Sequence, residues 1–359
     1  MKKGNTEGKR DVCGLDLGDR HSRLCVLDAE TGEVVEEGRV PTTEPGLRRR
    51  FASVPPMRVA IEVGTHSPWV SRMLADCGHE VIVANPRKVR LISKSRRKND
   101  AMDALRLARL ARTDPALLSP IRHRGSEAQA DLALLRSRDA VVKARTQLIN
   151  HVRGAVKSTG KRLPRVGAEA FASKAGAGVA PELLPAVGPL LEVIAALTTR
   201  IRAFDRKVEE LARAYPETAR LRLIRGVGPI TAVAYVLTLE DPARFAKSRA
   251  VGPYLGLVPA QRDSGDAKPE MRISKEGDAF LRRLLVGSAQ YILGPFGEDC
   301  DLRRQGFKLG AGGSKKEKKR AVVAVARKLA VLLHRLWTSE EPYDPLYNAK
   351  RAGRAKIAA

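Results

Sequence analysis

Two short apolar strands, each carrying one acidic residue, constrain the fold of this chain most strongly. The first, residues 12–18, holds Asp16 near its middle, and the second, residues 58–63, holds Glu62. A carboxylate inside a core strand costs free energy unless it is paired or binds a cation. Asp16 and Glu62 are therefore candidates for a functional site.

The segments around these strands predict an α/β domain over residues 10–122. Turns at 19–22 and 31–33 separate the first strand from two more, at 23–28 and 34–37, as in a β-meander. A helix from Gly64 to Leu74, a strand near 81–84, a basic stretch and a helix from Asp100 to about Arg112 follow. Strands that alternate with helices are typical of this fold class.

Asp100 and Asp103 lie one turn apart on one face if their segment is helical. Two carboxylates at that spacing repel each other unless a cation lies between them, and Mg²⁺ is commonly held by carboxylates. For this pair alone, a solvated helix N-terminus is the better explanation of the residues. Together with Asp16 and Glu62, however, the pair suits a two-metal site for phosphodiester cleavage.

The middle of the chain predicts a coiled-coil helical hairpin over residues 124–215. Residues 126–157 contain no proline and one glycine, as expected of a long helix. In the second helix the apolar residues alternate four and three apart, which is a heptad seam. These residues are Leu190, Ile194, Leu197, Ile201, Phe204, Val208 and Leu211.

Residues 218–338 predict a mostly helical domain, followed by a basic tail at 339–359 that is expected to be frayed after Tyr347. Helices are expected at Ala279–Leu293 and Lys319–Trp337, with a loop rich in Gly and Lys between them. Gly226 and Gly228 resemble the turn of a helix-hairpin-helix, whose backbone N–H groups face a DNA phosphate. Ser274 is expected to cap a helix.

The charge of the chain indicates a nucleic-acid partner. Its 66 Lys and Arg residues outnumber 40 Asp and Glu residues, which gives a net charge of +26. An anionic membrane surface is the rival, but the charge is spread along the chain, and we expect no membrane span or secretory signal. The four cysteines and six histidines lack metal-ligand spacing, so we expect a cytoplasmic protein with structural Cys and His. Plausible phosphate contacts are Lys94, Arg96, Arg97, Arg262, Arg272 and Lys275.

The order of the motifs resembles the DEDD transposases of the insertion-sequence-110 family, which are bridge-RNA-guided recombinases. The resemblance extends from about residue 11 to 337. The motifs are Gly14-Leu15-Asp16, Ile61-Glu62-Val63-Gly64, Lys98-Asn99-Asp100 with Asp103, Gly226-Val227-Gly228, Gly256-Leu257-Val258-Pro259 and Arg262-Asp263-Ser264-Gly265.

The resemblance implies a RuvC-like, ribonuclease-H-like domain in which four acids hold Mg²⁺ or Mn²⁺. The acids are Asp16, Glu62, Asp100 and Asp103. It further implies that Ser264 attacks DNA and forms a transient phosphoserine. A structured bridge RNA would choose target and donor DNA. The enzyme would be a nucleoid-associated bacterial homo-oligomer, a dimer or tetramer through the coiled coil, with the serine of one subunit meeting the acids of another.

Three other functions remain open from the residues themselves. The chain is a RuvC-like endonuclease if water is the nucleophile and Asp263-Ser264-Gly265 is only a surface turn. It is a nucleic-acid scaffold if the acids are inactive. The first strand, Gly14 to Gly18, also fits a sugar-kinase-like ATPase, although such an enzyme has no use for a charge of +26.

Overall fold

The computed structural model describes residues 11–85, 100–261, 271–339 and 341–351. The chain divides into two compact units, with the boundary between Arg124 and Gly125. The long helices of the predicted hairpin and the C-terminal helices belong to the same unit. The α/β domain and the helical remainder agree with the predicted fold class, whereas a coiled coil stays a prediction.

The first unit contains a mixed five-stranded sheet with the order β3-β2-β1-β4-β5. Strands β1 to β3 form the predicted antiparallel meander, and β4 runs parallel to both β1 and β5. The elements are β1 Val12–Asp16, β2 His21–Leu27, β3 Val34–Pro41, α1 Glu44–Phe51, β4 Arg58–Glu62, α2 Ser67–Asp76, β5 Glu80–Ala84 and α3 Asp100–Thr113.

Both faces of the sheet are covered, as the apolar character of β1 and β4 requires. On one face Leu15 and Ile61 pack in a core with Phe51 of α1 and Leu74 of α2. Because side chains alternate along a strand, Val12, Gly14 and Asp16 point to the opposite face. There Val12 packs with residues of α3. Asp16 therefore lies on the face that α3 covers.

Helix α3 lies against β1 so closely that only glycine fits at position 14. A Cβ at Gly14 would overlap the carbonyl oxygen of Ala104 and lie 2.6 Å from the backbone nitrogen of Ala108. Val12, two residues earlier, packs instead with Leu107 and Ala111. The helix therefore runs antiparallel to β1, and its N-terminus lies where the strand ends.

The second unit begins with two long helices that pack along each other, α4 and α6. Val187, Ile194, Ile201 and Val208 of α6 are buried at seven-residue intervals. The helices of this unit are α4 Ser126–Ser158, α5 Phe171–Ala175, α6 Leu184–Ala214, α7 Glu217–Leu221, α8 Pro229–Leu239, α9 Val251–Tyr254, α10 Ala279–Leu293, α11 Asp301–Leu309 and α12 Lys315–Thr338.

Helix α8 packs against α4, α6, α7 and α10, is buried from Thr231 to Leu239 and carries Tyr235 at its centre. The Tyr235 hydroxyl donates a 2.6 Å hydrogen bond to the carbonyl oxygen of Ala330 in α12. Burial raises the pKa of Tyr235 far above its usual value, so this phenol remains a neutral donor. Tyr235 therefore satisfies its polar group inside an otherwise apolar core.

Several expectations differ from the structure. Residues 301–309, expected within a loop, form α11, and the last helix begins at Lys315 rather than Lys319. Asp16 is the last residue of β1 and not its middle. Ser274 caps no helix, because α10 begins at Ala279 and Asp278 is its N-cap.

The tail and the hairpin also differ from what was expected. Past Tyr347, the expected frayed point, the backbone N–H groups of Asn348 and Ala349 donate to the carboxylate of Asp301. Pro181–Ala214 is a described segment long and apolar enough, by composition alone, to cross a membrane, whereas no span was expected. Its packing along α4 gives it a role in the hairpin instead.

Candidate active site

The carboxyl ends of β1 and β4 place Asp16 and Glu62 side by side. The two strands are parallel, and their last paired residues are Leu15 and Ile61. Asp16 and Glu62 each come one step later, so their Cα atoms are neighbours at about the 4.8 Å spacing of adjacent strands. Both are half-buried. We call this end of the sheet the carboxyl edge.

Asp100 and Asp103 reach the same edge from α3. Gly14 lies beside Ala104, and the two residues from Gly14 to Asp16 advance about 7 Å along β1. In the opposite direction, the four residues from Ala104 to Asp100 advance about 6 Å along α3. The first turn of α3 therefore lies level with the end of β1, and the backbone brings all four predicted acids to one edge.

The acid side chains at this edge are not arranged to coordinate a metal ion. In the described part of the chain, no three His, Cys, Asp or Glu side chains are close enough together to hold one ion. Asp103 instead accepts a 3.0 Å bond from Arg106, one turn further along α3. The carboxylate side chains would therefore have to turn inward to share a cation, and the four-acid metal site stays a prediction.

The donor chemistry at the carboxyl edge fits a hard divalent cation. Carboxylate oxygens are the ligands that Mg²⁺ prefers. The nearest thiols are unsuited to metal binding: burial raises the pKa of Cys13 to about 12, and burial followed by the nearby Glu37 raises that of Cys25. Thiols that stay protonated are neither ligands nor nucleophiles.

His66, expected to be a scattered structural histidine, lies close to the carboxyl edge in the turn that follows Glu62. Its Nδ1 accepts a hydrogen bond from the indole N–H of Trp69 at 3.2 Å. The other ring nitrogen is then the protonated one in the neutral ring, and it lies 3.6 Å from the carboxylate of Asp19. The spacing of residues 66 and 69, one helical turn, is the only sequence signal for this arrangement.

A turn between α7 and α8 carries Gly226 and Gly228, and its likeness to a helix-hairpin-helix stays a prediction. Gly226 has a φ of +96°, and a Cβ there would lie 2.9 Å from the ring of Tyr291 in α10. Packing against α10 thus explains Gly226, whereas Gly228 is exposed and faces open space. The turn borders a groove of about 570 Å³, whose lining includes Arg283, Gln290 and Tyr291, none of them predicted from the sequence.

The residues that precede and follow the segment containing Ser264 pair with each other through backbone hydrogen bonds. The N–H of Ala260 donates to the carbonyl of Arg272, and that of Ser274 donates to the carbonyl of Val258. Arg272 and Lys275 are exposed on the returning strand. Ser264 itself lies outside the described residues, as do Lys94, Arg96, Arg97 and Arg262.

The fold and the acids together indicate a class of enzyme. A mixed sheet of this order, with helices on both faces and carboxylates at one edge, is consistent with a ribonuclease-H-like domain of an enzyme acting on nucleic acid. A sequence profile described as "Transposase" matches residues 13–160, and one described as "Transposase IS116/IS110/IS902 family" matches residues 218–296.

Similar proteins extend the match over nearly the whole chain. The transposase for insertion sequence element IS1111A of Coxiella burnetii is 30% identical over 92% of this chain and 91% of its own length. The transposase for insertion sequence element IS1328 of Yersinia enterocolitica is 33% identical over 79% of this chain and 84% of its own. The chain belongs to the IS110 family of transposases, enzymes that cut and join DNA.

Proposed function

We propose that this transposase recombines DNA with a four-acid metal site and a serine nucleophile, and that a bridge RNA selects both DNA partners. The observation that carries the proposal is the arrival of Asp16, Glu62, Asp100 and Asp103 at one edge from three separate elements. Family membership supports the rest, because the chain matches IS110 transposases in both of its units.

Asp16, Glu62, Asp100 and Asp103 would hold Mg²⁺ or Mn²⁺ at the carboxyl edge. A divalent ion supplies charge stabilisation for a phosphodiester under attack. The protein's own contribution is to align the carboxylates: β1 and β4 fix two of them in register, and the glycine contact at position 14 holds the first turn of α3 beside them. Arg106, which pairs with Asp103 at 3.0 Å, would have to release this carboxylate when the ion binds.

Ser264 would act as the nucleophile in strand transfer. Its hydroxyl oxygen attacks a DNA phosphorus atom, and the bond from phosphorus to one deoxyribose oxygen breaks. The serine proton is lost to a base or to solvent, and the departing deoxyribose oxygen becomes a hydroxyl. The phosphoserine conserves the energy of the broken bond, so a second deoxyribose hydroxyl can reverse the step on another strand.

Two variants separate this mechanism from cleavage by water. Incubation of the full-length protein with DNA, Mg²⁺ and its RNA should give a covalent protein–DNA adduct, detected on a denaturing gel. Ser264→Ala should abolish the adduct. Glu62→Gln should slow adduct formation by on the order of a thousandfold, because the loss of charge stabilisation raises the activation barrier by several kcal/mol. DNA cleavage that survives Ser264→Ala would favour the RuvC-like endonuclease with water as nucleophile.

The guide is tested by sequencing the RNA that copurifies with the protein. We expect one discrete, structured RNA encoded beside the transposase gene, because sequence choice would be delegated to base pairing. A purified protein that recombines DNA after ribonuclease treatment would contradict the guided mechanism while leaving the serine chemistry intact. The positive charge of +26 offers ample phosphate neutralisation for both nucleic acids.

A further inference from the structure

The beginning of α12 carries the densest positive charge in the described second unit. Residues 302–322 contain eight lysines and arginines and a single acidic residue, Glu317. Four lysines fall in the first two turns of α12, and all four are exposed. We call Lys315, Lys316, Lys318 and Lys319 the lysine cluster.

The lysine cluster is not used to hold the fold together. Within the described residues, none of the four lysines has a carboxylate partner within 4.0 Å. The neighbouring arginines differ: Arg304 pairs with Asp299 at 2.6 Å, and Arg303 donates to backbone carbonyls and stacks on Phe307. Arg303 and Arg304 therefore have structural contacts, whereas the four lysines face solvent.

The one acidic side chain among the lysines is already occupied. Glu317 accepts hydrogen bonds from both the hydroxyl and the backbone N–H of Ser314, while the Ser314 hydroxyl accepts from the N–H of Glu317. This capping box lowers the pKa of Glu317, with the Ser314 hydroxyl as the main cause. Glu317 therefore serves the helix terminus, and its single negative charge can offset only one of the four lysines.

The position of the cluster opposes the stability of its own helix. The N-terminus of a helix carries partial positive charge, so cations there are unfavourable. Four lysines in those turns also repel one another. The four lysines disfavour their own helix and make no ion pair within the described residues. Their position therefore indicates a negatively charged partner.

The surface around the cluster is concave and open to solvent. A cavity of about 370 Å³ is lined by Gly313, Lys315, Lys318, Lys319 and Val322. Gly313, with a φ of +75°, leaves one wall without a side chain. Lysines act as point charges rather than planar forks, so the site favours phosphates over base edges.

We infer that the lysine cluster and its cavity bind the phosphate backbone of duplex DNA, independently of base sequence. DNA is the partner that transposition requires, and this assignment therefore rests on the DNA-processing activity of the family. It does not depend on the serine nucleophile or on RNA guidance. The cluster would anchor the duplex, while sequence choice is made elsewhere.

The test compares two triple variants of the full-length protein that remove equal charge. Lys315→Gln/Lys318→Gln/Lys319→Gln removes the cavity lysines, and Lys174→Gln/Lys207→Gln/Lys247→Gln removes three other exposed lysines. Binding to a mixed-sequence DNA duplex is followed by fluorescence anisotropy from about 50 to about 200 mM NaCl. EDTA is present, so failure of the proposed cleavage chemistry cannot alter the result.

We expect the slope of log binding constant against log salt to become shallower by about 2 to 3 in the cavity variant, since each phosphate contact contributes about 0.9. The other variant should keep the parent slope. An unchanged slope, or an equal change in both variants, overturns the inference. A change seen with an RNA duplex but not with DNA overturns it as well.

Two further measurements separate binding from folding. Because the lysines are unfavourable at a helix N-terminus, the cavity variant should melt no lower than the parent protein. Lys315→Arg/Lys318→Arg/Lys319→Arg keeps the charge and should restore the parent slope. Loss of DNA binding in this arginine variant would contradict a purely electrostatic contact.

Discussion

At the residue scale, Gly14 links the fold to the candidate active site. It allows the backbone of α3 to contact β1, and that contact sets the first turn of the helix level with Asp16. A larger residue would push the helix outward and carry Asp100 and Asp103 away from the edge. Four acids drawn from three elements can meet only if this spacing is kept.

Gly14→Ala should therefore destabilise the protein by about 1–3 kcal/mol through overpacking and should also lower DNA cleavage. The matched control is Gly38→Ala on β3, where a Cβ would lie 3.6 Å from Leu24, an ordinary contact. Its free energy of unfolding should change by less than about 0.5 kcal/mol. Thermal unfolding and a cleavage assay check both. Equal behaviour of the two variants would show that helix and strand do not need the close approach.

At the element scale, the structure assigns the start of α10 to Asp278. Its carboxylate accepts from the N–H of Leu281 at 2.8 Å and pairs with Arg136 of α4. Ser274, the residue that the sequence suggested, lies in the paired backbone before the helix. Asp278 thus caps the N-terminus of α10 and also links this helix to α4 of the hairpin.

Asp278→Ala should lower the free energy of unfolding by about 1 kcal/mol, as expected for loss of a helix cap. Ser274→Ala should change it by less than about 0.5 kcal/mol. Asp278→Asn keeps the cap but removes the charge that faces Arg136, so it should fall between the two. Urea unfolding at neutral pH measures all three. A larger loss in Ser274→Ala than in Asp278→Ala would return the cap to Ser274.

The strands and long helices were predictable because their apolar residues recur at the period of each element. Helix α11 was not, since only Leu302 and Gly306 of its nine residues are buried. Gly306 fits between Leu293 and Val325, a tertiary contact that no local pattern records. The position of the acids at the carboxyl edge could be predicted from the strand pattern. Whether the carboxylates converge depends on side-chain rotation and on a cation, and strand periodicity determines neither.

At the scale of the whole molecule, α6 has more apolar surface than its contact with α4 buries. Only 17% of its most apolar stretch is buried. Val193 is 46% exposed, and Leu190, Leu197 and Phe204 of the predicted seam are half-buried. A second copy of the helix would cover this face, as in the homo-oligomer that the family resemblance implies.

An oligomer allows a test of whether the serine and the acids of one reaction come from different subunits. Asp16→Asn and Ser264→Ala should each be inactive alone. If the two variants are coexpressed and form dimers at random, half of the dimers contain one subunit of each variant. If the serine and the acids meet across subunits, one of the two sites in each mixed dimer has both wild-type groups. Recombination should then return to at most about a quarter of the wild-type level, set by the symmetry of the pair.

The same mixture should remain inactive if each subunit supplies its own serine and acids, because every site then lacks one group. Val193→Glu places a charge on the exposed face of α6 and provides the control. It should reduce the rescue along with the oligomer measured by sedimentation, while leaving the sheet and its carboxyl edge untouched. Rescue that persists in a monomeric protein would contradict a shared site, and its loss with the oligomer would tie the serine chemistry to assembly through the hairpin.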